Sequence, residues 1–212
     1  KDYLFCDSAG GRVHVLAGPA FTADQSYAVG TEPSALAAGD FNDDGAPDLA
    51  VANAGSFSLS IFWNDGTGQF TTSTLTDVGV RPVDLDAGDF NRDGRADLAV
   101  ALAGDKALGI LLAQPGNQFN LAQEQKIFFQ STPSAVLADN FDGEAGADAL
   151  VGFADSSKLA LCTSDAAGAL QHRYSIDTLG DAAFDSSGQT VTLAADQVLS
   201  VAGGTGLGGV AT

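Results

Sequence analysis

The stretch DFNDDGAPD, residues 40–48, places oxygen-bearing side chains at its first, third, fifth and ninth positions. Calcium and other hard cations take six to eight oxygen ligands at about 2.3–2.6 Å. Gly45 follows the fifth position and tolerates the sharp reversal that would bring alternate side chains to one point. The pattern predicts a calcium site whose ligands are the side chains of Asp40, Asn42, Asp44 and Asp48 and the carbonyl of Ala46. An acidic turn without a metal is the alternative, because Asp, Asn and Gly are also common turn residues.

Two further copies of this loop follow at a regular spacing. The second, DFNRDGRAD at residues 89–97, begins 49 residues after the first and keeps all four oxygen-bearing positions. The third, NFDGEAGAD at residues 140–148, begins 51 residues later, but Ala145 replaces the glycine, which we expect to strain the loop. The predicted ligands of the second loop are Asp89, Asn91, Asp93 and Asp97, with Arg95 in the place of Ala46. Those of the third loop are Asn140, Asp142, Glu144 and Asp148, and whether this degenerate loop binds a metal is left open.

The repeat extends beyond the acidic loop. A proline-led segment precedes each copy, and apolar runs of strand length follow it. After the first loop, Leu59, Ile61 and Trp63 recur at every second position, so they share one face of a strand, and we predict that Trp63 is a core residue. Each unit indicates four short strands in about fifty residues, which predicts an all-β fold. Because one such unit cannot bury both faces of its sheet, the units must stack on one another.

The repeat divides the chain into segments. We predict partial units at residues 1–30 and 179–202, whole units with calcium loops at 31–79 and 80–130, a whole unit with the degenerate loop at 131–178, and a flexible glycine-rich tail at 203–212. The chain starts at Lys1 and contains no methionine, from which we expect a processed or truncated product. Cys6 and Cys162 fall inside predicted strands and are expected to be free thiols.

Composition excludes some classes of partner. The formal net charge of −18 argues against nucleic acid or an anionic membrane surface. No run of about eighteen apolar residues occurs, so we expect no insertion into a membrane.

The repeated DFNxDGxxDL string and the turn NDGTGQF at residues 64–70 resemble the FG-GAP or VCBS-type repeats of β-propellers, including the integrin α-subunit head. The resemblance implies four-stranded blades around an axis, with Ca²⁺ bound in the loop between the first and second strands of a blade. Such propellers usually have seven blades, and propellers in general have four to eight. We therefore expect this chain to belong to a larger protein, with further blades from the rest of that protein or from another chain. A small closed ring is the alternative.

The resemblance and the calcium loops together indicate a calcium-stabilised, non-catalytic binding or adhesion module with a protein or glycan ligand. Extracellular calcium modules bind at about 10⁻⁴–10⁻³ M, so such sites would be nearly empty at cytosolic calcium levels, and we expect an extracellular, secreted or cell-surface location. One alternative is the propeller part of a secreted polysaccharide-acting enzyme. Another is a structural section of a surface filament or large adhesin. Against catalysis, the only histidines are His14 and His172, and no Ser or Cys nucleophile motif accompanies them.

Overall fold

The structure, a computed structural model, describes residues 3–16, 24–67, 69–75, 78–119, 125–143, 145–164, 169–177, 183–184, 190–194 and 197–202. Within these ranges the regular elements are β-strands in successive antiparallel sheets, and the prediction of an all-β fold is confirmed. Nowhere in this described part is there a helix of the length and apolarity needed to cross a membrane.

Three of the sheets have four strands each and follow one another along the chain. The first contains β4 (Pro33–Gly39), β5 (Asp48–Asn53), β6 (Ser58–Asn64) and β7 (Phe70–Leu75), in that order across the sheet. The second contains β8 (Pro82–Gly88), β9 (Asp97–Leu102), β10 (Ala107–Leu111) and β13 (Gln125–Phe128), with a small hairpin of β11 (Ala113–Gln114) and β12 (Gln118–Phe119). The third contains β14 (Pro133–Asp139), β15 (Asp148–Phe153), β16 (Lys158–Ser164) and β17 (Leu170–Asp177).

A three-stranded sheet stands at each end of the series. The N-terminal one pairs β1 (Tyr3–Asp7), β2 (Arg12–Leu16) and β3 (Asp24–Ala28). The C-terminal one pairs β18 (Ala183–Phe184), β19 (Thr190–Ala194) and β20 (Gln197–Ala202). The predicted tail at residues 203–212 lies outside the described residues. Both cysteines, Cys6 on β1 and Cys162 on β16, are free thiols as predicted.

The core lies between the sheets, because alternate residues of one strand pack against different neighbours. Leu59, Ile61 and Trp63 of β6 are buried in a cluster that also contains Leu98 and Val100 of the next sheet. The intervening residue of the same strand, Phe62, belongs to a second cluster with Val13 of the preceding sheet. Both faces of β6 are therefore buried, and the stacking that the repeat predicts accounts for it.

The first strands of successive sheets approach each other closely at a glycine. A Cβ atom added to Gly39 would lie 2.8 Å from the Cβ of Ala96 and 3.2 Å from that of Ala87 in the next sheet. One repeat later, a Cβ on Gly88 would lie 2.7 Å from the Cβ of Ala147. The same small residues thus set the spacing of both interfaces, and they hold the predicted metal loops side by side.

Candidate metal centres

The three acidic loops each connect the first and second strands of a four-stranded sheet, and they lie at the same end of their sheets. Gly45 and Gly94 adopt left-handed backbone conformations with φ of 84° and 88°, which confirms the turn that glycine was predicted to permit. The residue before each fifth position, Asp43 or Arg92, also has positive φ, at 62° and 64°. The chain therefore reverses over the same three residues in both loops.

In the first loop, the side-chain oxygens turn inward toward the backbone amides of the reversal. Asp40 Oδ1 accepts a hydrogen bond from the Asp44 amide at 3.1 Å, and Asp40 Oδ2 accepts one from the Gly45 amide at 2.8 Å. Asn42 Oδ1 also lies 3.1 Å from the Asp44 amide nitrogen. Asn42 Nδ2 donates to Asp44 Oδ2 at 2.8 Å. The oxygens of the first, third and fifth positions are thus held around one short turn.

The second loop repeats this geometry bond for bond. Asp89 accepts from the amides of Asp93 at 3.1 Å and Gly94 at 3.0 Å, and Asn91 Oδ1 accepts from the Asp93 amide at 3.0 Å. Asn91 Nδ2 donates to Asp93 Oδ2 at 3.0 Å. The two loops differ in sequence at residues 43/92, 46/95 and 47/96. They still reach the same arrangement of oxygens, because the shared residues make these contacts.

The aspartate at the ninth position is fully buried in all three loops. Asp97 Oδ2 accepts from the Phe90 and Asn91 amides at 3.0 and 3.3 Å, and Oδ1 accepts from the Ala113 amide at 2.8 Å. Asp48 and Asp148 make the equivalent bonds to the start of their own loops and to the third strand of their own sheets. Each of these carboxylates therefore joins its loop to its sheet, a role that the prediction of a metal ligand did not include.

Burial also changes the acidity of these carboxyl groups. It raises the pKa of Asp48 to about 6, opposed by the amide donors and reinforced by the carboxylates of Asp44 and Asp40. It raises the pKa of Asp97 to about 6 for the same reason, with Asp93 adding to the rise. The negative charges of each loop thus repel one another, which is the electrostatic situation that a bound cation relieves.

The third loop departs from the other two. We expected the loss of the glycine at Ala145 to strain it. The fourth position, Gly143, keeps a positive φ (79°), as Asp43 and Arg92 do, but the second positive φ moves from the sixth position to the seventh, Gly146 (106°). Asn140 Oδ1 accepts from the Gly143 amide at 2.7 Å. Glu144 lies outside the described residues, so its part in a metal site stays a prediction. The second glycine of the reversal stands one position later than in the first two loops.

The loops are joined to each other across the sheet interfaces. The amide of Ala96 in the second loop donates to the carbonyl oxygen of Asp40 in the first at 2.9 Å. The amide of Ala147 in the third donates to the carbonyl oxygen of Asp89 in the second, also at 2.9 Å. These links connect the eighth position of one loop to the first position of the preceding loop, so the three loops form one hydrogen-bonded row.

The donor atoms fit a hard divalent cation, since carboxylate, amide and carbonyl oxygens are the ligands that calcium prefers. Within the part of the chain that the structure describes, no three His, Cys, Asp or Glu side chains are grouped closely enough to hold a metal by themselves. A cation in the first loop would therefore depend on Asn42 and a backbone carbonyl as well as on Asp40 and Asp44. The same holds for Asn91 in the second loop.

The buried aspartates lead to a prediction about pH. A carboxyl group whose pKa is raised by folding contributes stability that is complete below its ordinary pKa of 3.8 and is lost as the pH rises through about 6. Calcium-free protein is therefore expected to melt at a higher temperature at about pH 5 than at about pH 7.5. Scanning calorimetry of dialysed protein measures this difference. The double variant Asp48→Asn, Asp97→Asn is the control, and an equal difference in that variant would assign the effect to the remaining carboxylates.

Comparison with known families identifies the repeat. The family described as FG-GAP-like repeat matches residues 40–100, which include the first two loops and the strands between them. Residues 40–100 are FG-GAP-like repeats. They are the repeats that the DFNxDGxxDL strings indicate, and the first two acidic loops lie within the matched range. No match was found among curated proteins.

Solved structures with similar folds come from proteins of low sequence identity. The hydrazine synthase of Kuenenia stuttgartiensis matches with a TM-score of 0.59 and 21% identity, over 90% of this chain and 53% of that one. BBS1N, solved in complex with ARL6DN, matches with a TM-score of 0.59 and 16% identity, over 94% and 60%. A protein of unknown function from Bacteroides caccae matches with a TM-score of 0.53 and 13% identity, over 89% of this chain and 63% of that one. The chain has the blade architecture of a β-propeller and spans 53–63% of the length of these structures.

A second surface feature lies at the end of the sheets opposite the FG-GAP loops. A cleft of about 310 Å³ opens between the second and third four-stranded sheets. Phe128, Phe129 and Phe153 line it together with the polar residues Ser156 and Lys158. Phe128 is 68% exposed, the highest value among the exposed large apolar side chains of the described residues. These residues could not be selected from the sequence, because Phe153 becomes a neighbour of the adjacent Phe128 and Phe129 only when the two sheets stack.

Proposed function

We propose that this chain is a calcium-stabilised, non-catalytic binding module of an extracellular or cell-surface protein. The observation that supports it best is the matched pair of loops, in which Asp40, Asn42 and Asp44 and their counterparts one repeat later present oxygens around the same turn. A divalent cation would convert the mutual repulsion of these carboxylates into attraction. The side chains of Asp48 and Asp97 would complete the two sites from the buried side.

The proposed role of calcium is to hold the row of loops in its folded form. For a site with a dissociation constant of about 10⁻⁴–10⁻³ M, millimolar calcium adds about 0.5–1.5 kcal/mol to folding stability. Because the amide of Ala96 is bonded to the carbonyl of Asp40, ordering one loop also fixes a contact of its neighbour. Extracellular calcium would fill such sites, whereas cytosolic calcium would leave them nearly empty. The proposed role therefore requires an extracellular location.

The ligand that we propose is a protein or a glycan. The cleft beside Phe128 has the composition of a binding surface, with apolar walls and a few polar groups from Ser156 and Lys158. A propeller neighbour, BBS1N, was solved in complex with ARL6DN, so a scaffold of this kind can present a protein-binding surface. Further blades, from the rest of a longer protein or from another chain, are part of the proposal, since the similar structures are longer.

A non-catalytic role agrees with the surroundings of the histidine that the structure describes. The His14 ring stacks on Phe5, with ring centroids 4.7 Å apart and the planes 1° from parallel. Such a stack is a packing contact between neighbouring strands β1 and β2. The side chain of His172 lies outside the described residues. Degradation of a polysaccharide by calcium-free protein would contradict the proposal of a binding module and favour the enzymatic alternative.

The calcium sites can be counted by titration. We expect Asp44→Ala and Asp93→Ala each to remove one equivalent of bound calcium, because each removes the fifth-position ligand of one loop. Isothermal titration of dialysed protein measures the stoichiometry. Asp43→Ala is the matched control, since Asp43 is exposed and is not a proposed ligand. Unchanged stoichiometry in both ligand variants would contradict the assignment.

A further inference from the structure

The two matching loops differ at the seventh position, and only the second loop has a charged side chain there. Position seven is Ala46 in the first loop and Arg95 in the second. The Arg95 guanidinium pairs with Asp93 through Nη2 and Oδ2. Its Nε lies 3.5 Å from the carbonyl oxygen of Ala113. Both side chains of the pair are largely covered, with 17% of Arg95 and 26% of Asp93 exposed.

This ion pair involves a proposed calcium ligand. In the second loop, Asp93 Oδ2 accepts from Asn91 Nδ2 at 3.0 Å and also from the Arg95 guanidinium. In the first loop, the same oxygen of Asp44 accepts from Asn42 Nδ2 at 2.8 Å, and alanine offers no cation. The loops also differ at the fourth position, Asp43 against Arg92, and at the eighth, Pro47 against Ala96. Of these three differences, Arg95 is the one whose ion pair with a proposed ligand the structure describes.

A guanidinium at this place opposes metal binding in two ways. It cancels part of the negative charge that would attract the metal, and it occupies an oxygen that the metal would need. An ion pair whose two side chains are both largely covered is screened less by water than a fully exposed one, so the competition is stronger than that of a free surface arginine.

We infer that Arg95 is a built-in competing cation that weakens calcium binding at the second loop relative to the first. The two loops would then fill at different calcium concentrations, about tenfold apart, which corresponds to a modest electrostatic difference. The first loop fills first and the second responds at higher calcium. This inference rests on the proposed calcium binding, and it adds a residue that sets the order of filling.

The experiment measures each loop by itself in the full chain. Of the two matching loops, Asp44→Ala leaves the second as the calcium site, and Asp93→Ala leaves the first. The third loop is the same in both chains, so any binding there is common to them. Adding Arg95→Ala to the Asp44→Ala chain is expected to lower the calcium dissociation constant about tenfold. Adding Ala46→Arg to the Asp93→Ala chain is expected to raise it about tenfold. Titration calorimetry gives the constants, and circular dichroism and melting temperature confirm that each variant is folded.

A charge control separates local competition from a general change in net charge. Arg81→Ala also removes one positive charge, but residue 81 precedes β8 at the end of the sheet opposite the loops. It is expected to change the dissociation constant by less than about twofold, because exposed charges beyond about 10 Å are screened.

The outcomes are distinct. A calcium dissociation constant about tenfold lower with Arg95→Ala and about tenfold higher with Ala46→Arg would support the inference. Two results would overturn it and leave the proposed calcium binding intact. One is an equal calcium dissociation constant in the Asp44→Ala and Asp93→Ala chains. The other is an Asp44→Ala chain that binds calcium no more tightly after Arg95→Ala is added. Absence of binding in every chain, including the unaltered one, would overturn the proposed function and this inference together.

Discussion

Replacing Asp97 by alanine is expected to lower the free energy of unfolding by about 4 kcal/mol, because each buried N–H group left without an acceptor costs about 1–3 kcal/mol. The Asp97 carboxylate is fully buried and accepts three backbone bonds, from Phe90, Asn91 and Ala113. The substitution would leave those three donors facing a small cavity. Urea denaturation in calcium-free buffer measures the effect without any contribution from a lost metal ligand.

Asp93→Ala is the matched control for this result. Asp93 belongs to the same loop but is partly exposed. The Arg95 amide, which donates to Asp93, can hydrogen-bond to water instead. The replacement of Asp93 in calcium-free buffer is expected to cost about 1–1.5 kcal/mol, clearly less than that of Asp97, because Asp93 and the Arg95 partner that it leaves are both partly exposed. If Asp97→Ala and Asp93→Ala lowered the free energy of unfolding by the same small amount, the anchoring role of the ninth-position aspartate would be wrong.

Replacing Trp63 by alanine is expected to cost about 4 kcal/mol, the usual range for a large buried aromatic side chain being about 3–5 kcal/mol. Trp63 is only 5% exposed, which confirms the prediction that it is a core residue. Its ring lies 5.9 Å from that of Phe119 and 6.4 Å from that of Phe41, between centroids. These three aromatic residues join the first loop, β6 and the hairpin of the next sheet.

Thermal unfolding followed by circular dichroism tests this prediction, and a lower melting temperature is the expected result. Phe57→Ala is the control, because Phe57 is 46% exposed at the turn before β6 and should change stability by less than about 0.5 kcal/mol. Loss of glycan binding by Trp63→Ala at an unchanged melting temperature would contradict the core assignment and place Trp63 at a ligand surface.

The strands and loops could be predicted because their signals are local. Pro33, Pro82 and Pro133 begin the first strands of their sheets, at the places where the proline-led segments precede the acidic loops. Gly45 and Gly94 take the positive φ that a tight reversal requires. These features depend on residues within one repeat. Their recurrence at a period near fifty residues made them visible without knowledge of the fold.

The stacking of the sheets was predicted, but the polar contacts between them were not. Asp84 and Asp86 on β8 accept bonds from the amides of Val136 and Ala138 on β14, each at 2.8 Å. In the sequence these aspartates are only two more acidic residues in an acidic chain. Their acceptor role arises because β14, whose residues lie 52 positions away, presents its amides beside them.

The sequence by itself determined the all-β repeat, the acidic loops and the oxygen-bearing residues in them, because strand alternation and turn chemistry act over a few neighbouring residues. Only the tertiary structure decided that the ninth-position aspartates are buried anchors and that the loops are bonded into one row. The same is true of the aromatic cleft between sheets. These features depend on which sheets stack and how closely, and that packing is set by burial summed over the whole chain.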